Sequence, residues 1–182
     1  MGSSEWGYFA PYQADVGRAL EQLRQEVFES GRYYREEVDQ SEPEPTYEQM
    51  VDLAGDLSDM WPEDQVAFLQ GLLDDNRETY ARARIPVTDI DSLLTAQADS
   101  GTHSIIDISS GISATPRNDT AFPIDPGELM AHFGTLQPSR QQVEVWLGEG
   151  HGSGVARNTA VYFVLYEDGR PSEIFFEGAS GD

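Results

Sequence analysis

The strongest structural constraint in this sequence is a β-hairpin near its C-terminal end, in residues 159–177. Residues 159–167 are rich in β-branched and aromatic side chains, and residues 172–177 form a second such run. Asp168 and Gly169 lie between the two runs and are typical of a two-residue type I′ turn. Residues 162–165 are all apolar, which predicts that the first strand is central or covered on both faces.

Helical periodicity and end signals predict that helices pack on this hairpin. The best defined helix lies between Asp15 and Gly31, and its apolar residues recur at helical spacing: Val16, Leu20, Leu23 and Val27. Further helices are predicted over residues 46–58 and 62–76, after Asp89, from Asp125 to Phe133, and after Ser139. Short strands are predicted at residues 6–10, 103–108 and 120–123. These elements predict an α+β fold, with residues 1–182 forming a single domain in which about five or six helices pack on a small antiparallel sheet.

The charge of the chain is strongly negative and unevenly distributed. There are 33 acidic residues against 11 basic ones, which are all Arg, and the formal net charge is −22. Residues 36–78 hold 14 of the acidic residues and only one Arg, and they are predicted to be largely helical. Adaptation to high salt would distribute carboxylates over the whole surface, so this clustering indicates a local acidic surface. The charge also argues against direct binding to nucleic acid and against adhesion to anionic membranes.

Several other classes of protein are disfavoured by the composition. The chain has no Cys, so it has no disulfide, thiolate metal site or cysteine nucleophile. No apolar run approaches the roughly 20 residues that span a bilayer, and the first residues lack the pattern of a signal peptide. We therefore expect a cytoplasmic protein with no metal and no cofactor, while its oligomeric state stays open.

The acidic segment contains the first candidate site. Glu48, Asp52, Asp56 and Asp59 follow one another at helical spacing, opposite an apolar face. Side chains four residues apart on a helix lie about 6 Å apart, close to the spacing of phosphates along one DNA strand. Together with Glu63 and Asp64, and with Trp61 as an aromatic anchor, they predict a surface for a basic protein partner. The expected function is that of an inhibitor or immunity-type protein which occludes the basic site of a toxin or nucleic-acid-binding protein.

Three other interpretations stay open on the sequence alone. The acidic stripe is also typical of a solvated helix face that confers solubility. A small hydrolase-like enzyme is the second, with Glu149 and His151 in the glycine-rich loop 148–154 as an acid–base pair, together with His103 and Asp107. The third is a structural or assembly protein that uses the aromatic hairpin as an edge strand.

Several stretches distributed along the chain form a pattern of their own. They are residues 8–13, 27–33, 101–108, 133–135 and 168–176. In combination they resemble a family of small bacterial proteins without a known activity, over nearly the whole chain except the acidic middle segment. The resemblance implies a bacterial single-domain protein, and it carries over no catalytic residue.

Overall fold

A computed structural model of the chain describes residues 3–35, 84–152 and 154–181, with eight single positions between residues 68 and 82. The described residues belong to two compact units. Residues 1–35 and 100–182 form the first unit, and residues 36–99 form the second. The second unit is thus inserted, in chain order, between two segments of the first.

The first unit contains a four-stranded mixed sheet. Its strands are β1 (Ser3–Pro11), β2 (Thr120–Pro123), β3 (Thr159–Glu167) and β4 (Arg170–Gly181), in the spatial order β1-β4-β3-β2. β4 pairs antiparallel with β1 and β3, whereas β2 pairs parallel with β3. The prediction of an antiparallel sheet is therefore wrong for β2. The long helical connection between β2 and β3 explains this, because a crossover of this kind returns the chain in the same direction.

The predicted hairpin is confirmed. Asp168 and Gly169 both have a positive φ, at 51° and 73°, and Glu167 pairs with Arg170 across the turn. Neither hairpin strand is the terminal strand of the sheet, since β4 lies beside β1 and β3 beside β2. β2 pairs only with residues 159–162 of β3, so among the described strands none pairs with the rest of β3 on that side, and the assembly role stays a prediction.

Of the five or six helices predicted, four α-helices have defined bounds among the described residues. They are α1 (Val16–Ser30), α2 (Ile90–Ala96), α3 (Pro126–Phe133) and α4 (Arg140–Gly148). Asp15, Asp89, Asp125 and Ser139 cap their N-termini, as the sequence predicts. Of the predicted helix over 62–76, the described positions 68, 71, 74 and 75 are helical, and the predicted helix over 46–58 lies outside the described residues.

The strand predicted at residues 103–108 is wrong. This segment forms a 3₁₀ turn, Ile105–Asp107, whose Ile105 and Ile106 side chains are buried. The hydroxyl of Ser104 accepts a hydrogen bond from the backbone N–H of Ile106, and Asp107 Oδ1 accepts one from Thr102 N. These short polar side chains bind the local backbone in place of a neighbouring strand, which favours a turn.

Helices cover both faces of the sheet. On one face α1 packs against β1 and against the 3₁₀ turn. On the other face α4 packs against β3, and the apolar core there includes Val143, Trp146, Phe163 and Phe175. Side chains alternate along each strand, so neighbouring residues of β1 and β4 point into different cores.

Candidate functional site

The partner-binding residues predicted from the acidic segment lie outside the described residues. They are Glu48, Asp52, Asp56, Asp59, Trp61, Glu63 and Asp64. Further along the same segment, the described residues Asp74, Asp75 and Glu78 are helical and exposed. In that unit Arg82 lies 2.7 Å from a carboxylate oxygen of Asp99 and 3.8 Å from one of Glu78. The hydrogen bond that Arg82 donates to Asp99 raises the pKa of the guanidinium, so this side chain stays a cation paired with carboxylates of its own unit.

The two ends of the first unit that flank the insertion are held together. The backbone N–H of Tyr34 donates a 2.8 Å hydrogen bond to the carbonyl of Thr102. The ring of Tyr34 stacks on the imidazole of His103, with ring centroids 4.7 Å apart and an interplanar angle of 14°. The chain therefore leaves the first unit after residue 35 and returns at residue 100 through neighbouring positions.

His103 is fixed from both sides of its ring. Its Nε2 lies 3.0 Å from the carbonyl oxygen of Ser100, and its Nδ1 lies 3.2 Å from the hydroxyl of Ser4 in β1. A carbonyl oxygen only accepts, so Nε2 carries the proton and, in the neutral imidazole, Nδ1 accepts from Ser4. The residue has φ 50°, a conformation that these contacts hold in place. The geometry gives His103 a structural role where the insertion joins the first unit.

Asp107 belongs to a separate polar cluster on the α1 face of the sheet. Its carboxylate accepts hydrogen bonds from the backbone N–H and hydroxyl of Thr102, both at 2.8 Å, and from the hydroxyl of Ser180 at 2.6 Å. Ser180 in turn accepts from the indole Nε1 of Trp6 at 3.0 Å. Because these hydrogen bonds engage both oxygens of the Asp107 carboxylate, we assign Asp107 a structural role and not a catalytic one.

Glu149 and His151 are brought together where α4 ends. The Nε2 of His151 lies 3.5 Å from an Oε of Glu149, and both side chains are more than half exposed. Gly150, between them, has φ 77°, and this left-handed residue turns the chain back toward the end of the helix. The predicted pairing of these two residues is thus present as a long side-chain contact of 3.5 Å.

The four residues of the proposed enzyme site do not converge. Asp107 accepts a hydrogen bond from Ser180 in β4. His151 lines a cavity with Glu177, which precedes Ser180 by three positions in the same strand. Because successive residues of a strand point to opposite faces, Glu177 and Ser180, which are three positions apart in β4, project from opposite sides of the sheet. His103 and Asp107 are therefore separated from Glu149 and His151 by the sheet itself, and no joint catalytic site forms.

A groove of about 560 Å³ lies beside the Glu149–His151 pair. Its walls come from α3 and α4, and they include His132, Phe133 and Trp146. The His132 and Trp146 ring centroids are 5.3 Å apart, and the Phe133 and Trp146 centroids are 5.4 Å apart. No spacing in the sequence indicates that His132 and His151 line one groove. The short connection of residues 134–139 between α3 and α4 is the feature that could have indicated it.

A smaller cavity of about 250 Å³ lies on the other side of His151. It is lined by the carboxylates of Glu5 in β1 and Glu177 in β4, of which Glu177 is buried. A Cβ at Gly152 would lie 2.8 Å from Oε1 of Glu177, so the loop backbone passes directly against this carboxylate. His151 thus lines both cavities on this face of the sheet.

The residues that the structure describes bear on two remaining classes of site, a metal centre and a membrane span. Among them, no three His, Asp or Glu side chains are placed to hold a metal ion. None of the helices formed by these residues has the length and apolar character needed to cross a membrane. Comparison of the chain with protein-family models, with curated proteins and with solved structures found no match.

Proposed function

We propose that this protein is an acidic binding module of the inhibitor or immunity type, which covers a basic surface of a protein partner. One observation carries the proposal: the concentration of acidic residues in 36–78, a segment that belongs to the inserted unit. Within this segment 14 acidic residues stand against a single Arg. An inserted unit of this charge would add a recognition element to the α+β unit.

The described part of the inserted unit supports the proposal. Asp74, Asp75 and Glu78 are exposed, so their carboxylates are accessible to a partner. Arg82 is engaged by Asp99 and Glu78 within the same unit. Its positive charge acts on Asp99, Glu78 and Asp75, and this single cation does not cancel the negative charge of residues 36–78.

Charge of this density acts mainly on the rate of association. A negative surface attracts a basic partner over distances of the order of the Debye length, about 8 Å at physiological ionic strength. We therefore expect fast association at low salt and a complex that weakens as salt is raised. A small apolar anchor, for which Trp61 is the candidate, would slow dissociation.

The test is capture of the partner from native lysate with the tagged full chain, followed by stepwise elution with salt and mass spectrometry. A basic protein held in stoichiometric amount and released by moderate salt is expected. The same capture is then repeated with a quadruple variant. In it Glu48 is changed to Gln, and the three aspartates Asp52, Asp56 and Asp59 are changed to Asn. We expect this variant to lose the partner while it stays folded.

A matched control separates local recognition from total charge. Glu21, Glu26, Glu128 and Glu167 are exposed residues of the first unit, and their change to Gln alters the net charge by the same amount. This control variant should retain the partner. Equal loss in both variants would show a general charge effect, and equal retention would remove the acidic stripe from the proposal.

A second candidate function rests on the 3.5 Å contact between Glu149 and His151 beside the groove. A positioned acid–base pair contributes about 10²–10⁴-fold to a rate. If the protein is a hydrolase, His151→Ala should reduce turnover of an activated ester or phosphoester by about that factor, while His103→Gln should leave it unchanged. Identical rates for His151→Ala and the unaltered protein would reject this candidate.

A further inference from the structure

The groove between α3 and α4 has the size and the wall chemistry of a small-molecule site. Its volume of about 560 Å³ lies within the range of about 300–1,000 Å³ that is usual for ligand pockets. The partly exposed Phe133 and the exposed His132 contribute ring surface, and both pack against the indole of Trp146, which is itself only 6% exposed. These rings give the groove an apolar wall with electron-rich faces.

The polar side of the groove selects the charge of the ligand. Glu149 is the carboxylate among its lining residues, and Gln141 and Gln142 line it as neutral amides. No Arg is among these lining residues. Arg140, at the start of α4, is instead held by Glu144 at 2.8 Å and by Glu173 at 2.6 Å. The groove thus combines aromatic rings with a carboxylate, in a chain whose net charge is −22.

We infer that this groove binds a small organic cation, an amidinium, guanidinium or ammonium group carried on a planar or apolar body. The aromatic faces attract such a cation through their quadrupoles, and Glu149 offers it a carboxylate that His151 approaches only at 3.5 Å. An anion would face Glu149 and the negative field of the whole chain, so it is disfavoured. The site lies in the first unit, and it is independent of the acidic insertion and of the partner proposed for it.

Three matched probes test the charge preference in the full chain. Benzamidine is a planar cation, benzamide its neutral counterpart and benzoate its anionic one. The imidazole proton resonances serve as reporters, because the chain has three His and two of them line the groove. His103, on the opposite face of the sheet, is an internal control. Single His132→Gln and His151→Gln variants assign the signals.

We expect benzamidine to shift the His132 and His151 resonances with a dissociation constant of about 1 mM, the range of fragment-sized ligands. The His103 resonances should stay in place. Benzamide and benzoate should bind at least about fivefold more weakly, because each lacks the charge that Glu149 recognises. Equal binding of benzamide, tighter binding of benzoate, or no shift with benzamidine at about ten times that concentration would each overturn the inference.

Two carboxylate variants on the same helix complete the test. Glu149→Gln should weaken benzamidine binding by about two- to fivefold, the usual effect of one exposed ion pair. Glu144→Gln is the matched control, because Glu144 is exposed on α4 and pairs with Arg140 rather than lining the groove. Benzamidine affinity should stay unchanged in this control. An unchanged affinity in Glu149→Gln would overturn the assignment of the carboxylate.

Discussion

The hydroxyl of Ser180 donates a 2.6 Å hydrogen bond to the carboxylate of Asp107, which joins the end of the last strand to the 3₁₀ turn 73 residues earlier. The same carboxylate binds Thr102, close to where the insertion rejoins the first unit. The side chain of Asp107 therefore connects the 3₁₀ turn to β4 and to Thr102, where the chain re-enters the first unit. Asp107, which was a candidate catalytic residue from the sequence, thus makes structural hydrogen bonds in the fold.

We expect Asp107→Asn to destabilise the first unit by about 1–3 kcal/mol. Thr102 and Ser180 donate to different oxygens of the Asp107 carboxylate, so the NH₂ group of Asn replaces the acceptor of one of them and the hydrogen bond donated there is lost. Urea unfolding followed by circular dichroism measures the effect. Glu128→Gln, an exposed change in the first turn of α3, should alter the free energy of unfolding by less than about 0.5 kcal/mol. Equal effects in the two variants would contradict the structural role of Asp107.

Gly178 is required by the ring of Trp6, which lies across it from the neighbouring strand. A Cβ at position 178 would overlap Cζ2 and Cη2 of Trp6 and lie 2.9 Å from the carbonyl oxygen of Thr159. Gly178→Ala should therefore cost about 1–3 kcal/mol through overpacking. Gly148→Ala is the control, since no atom lies within 4 Å of a Cβ there and alanine favours the helix that ends at this residue. A thermal midpoint equally lowered in both variants would refute the packing argument.

Two tyrosines should make the protein less stable in alkali. Burial raises the pKa of Tyr8. The charge of Arg32 lowers this pKa and the charge of Asp107 raises it, with burial the largest effect. Burial also raises the pKa of Tyr162. The folded state therefore holds these protons longer than the unfolded state. The stabilisation is fully present below the unfolded tyrosine pKa of about 10 and is lost as the pH rises through the higher folded values.

Urea midpoints measured between about pH 8 and pH 11 test this effect. The double variant Tyr8→Phe and Tyr162→Phe should show a smaller alkaline loss of stability than the unaltered protein. Tyr12→Phe removes an exposed phenol and should leave the profile as it was. If all three proteins lose stability in parallel, burial of these two phenols does not govern the alkaline limit.

The insertion should be removable without loss of the α+β unit. Tyr34 and Thr102 are joined by a direct backbone hydrogen bond, so a short Gly-Ser linker in place of residues 36–99 closes the chain with little strain. We expect the shortened protein to fold cooperatively and to keep a dispersed NMR spectrum. It should also fail to capture the proposed basic partner. An unfolded product would show that residues 36–99 are needed for the core of the first unit.

Local chemistry determined much of this fold. The type I′ turn at Asp168 and Gly169 was predictable because only a few residues adopt positive φ in succession. The start of α1 at Asp15 and its end at Gly31 followed from capping, which acts within one turn of helix. The groove was not predictable, because His132 and His151 line one cavity only when α3 and α4 are packed in the folded protein.

The sequence by itself determined the hairpin, the helix ends, the uneven charge and the pairing of Glu149 with His151, since each depends on neighbours along the chain. The tertiary structure alone decided the parallel pairing of β2, the 3₁₀ turn at Ile105–Asp107 and the separation of His103 from His151. Those features depend on which sheet face each side chain meets and on hydrogen bonds between residues distant in the chain. Local propensity carries no information on either, because both are fixed only when the helices close over the sheet.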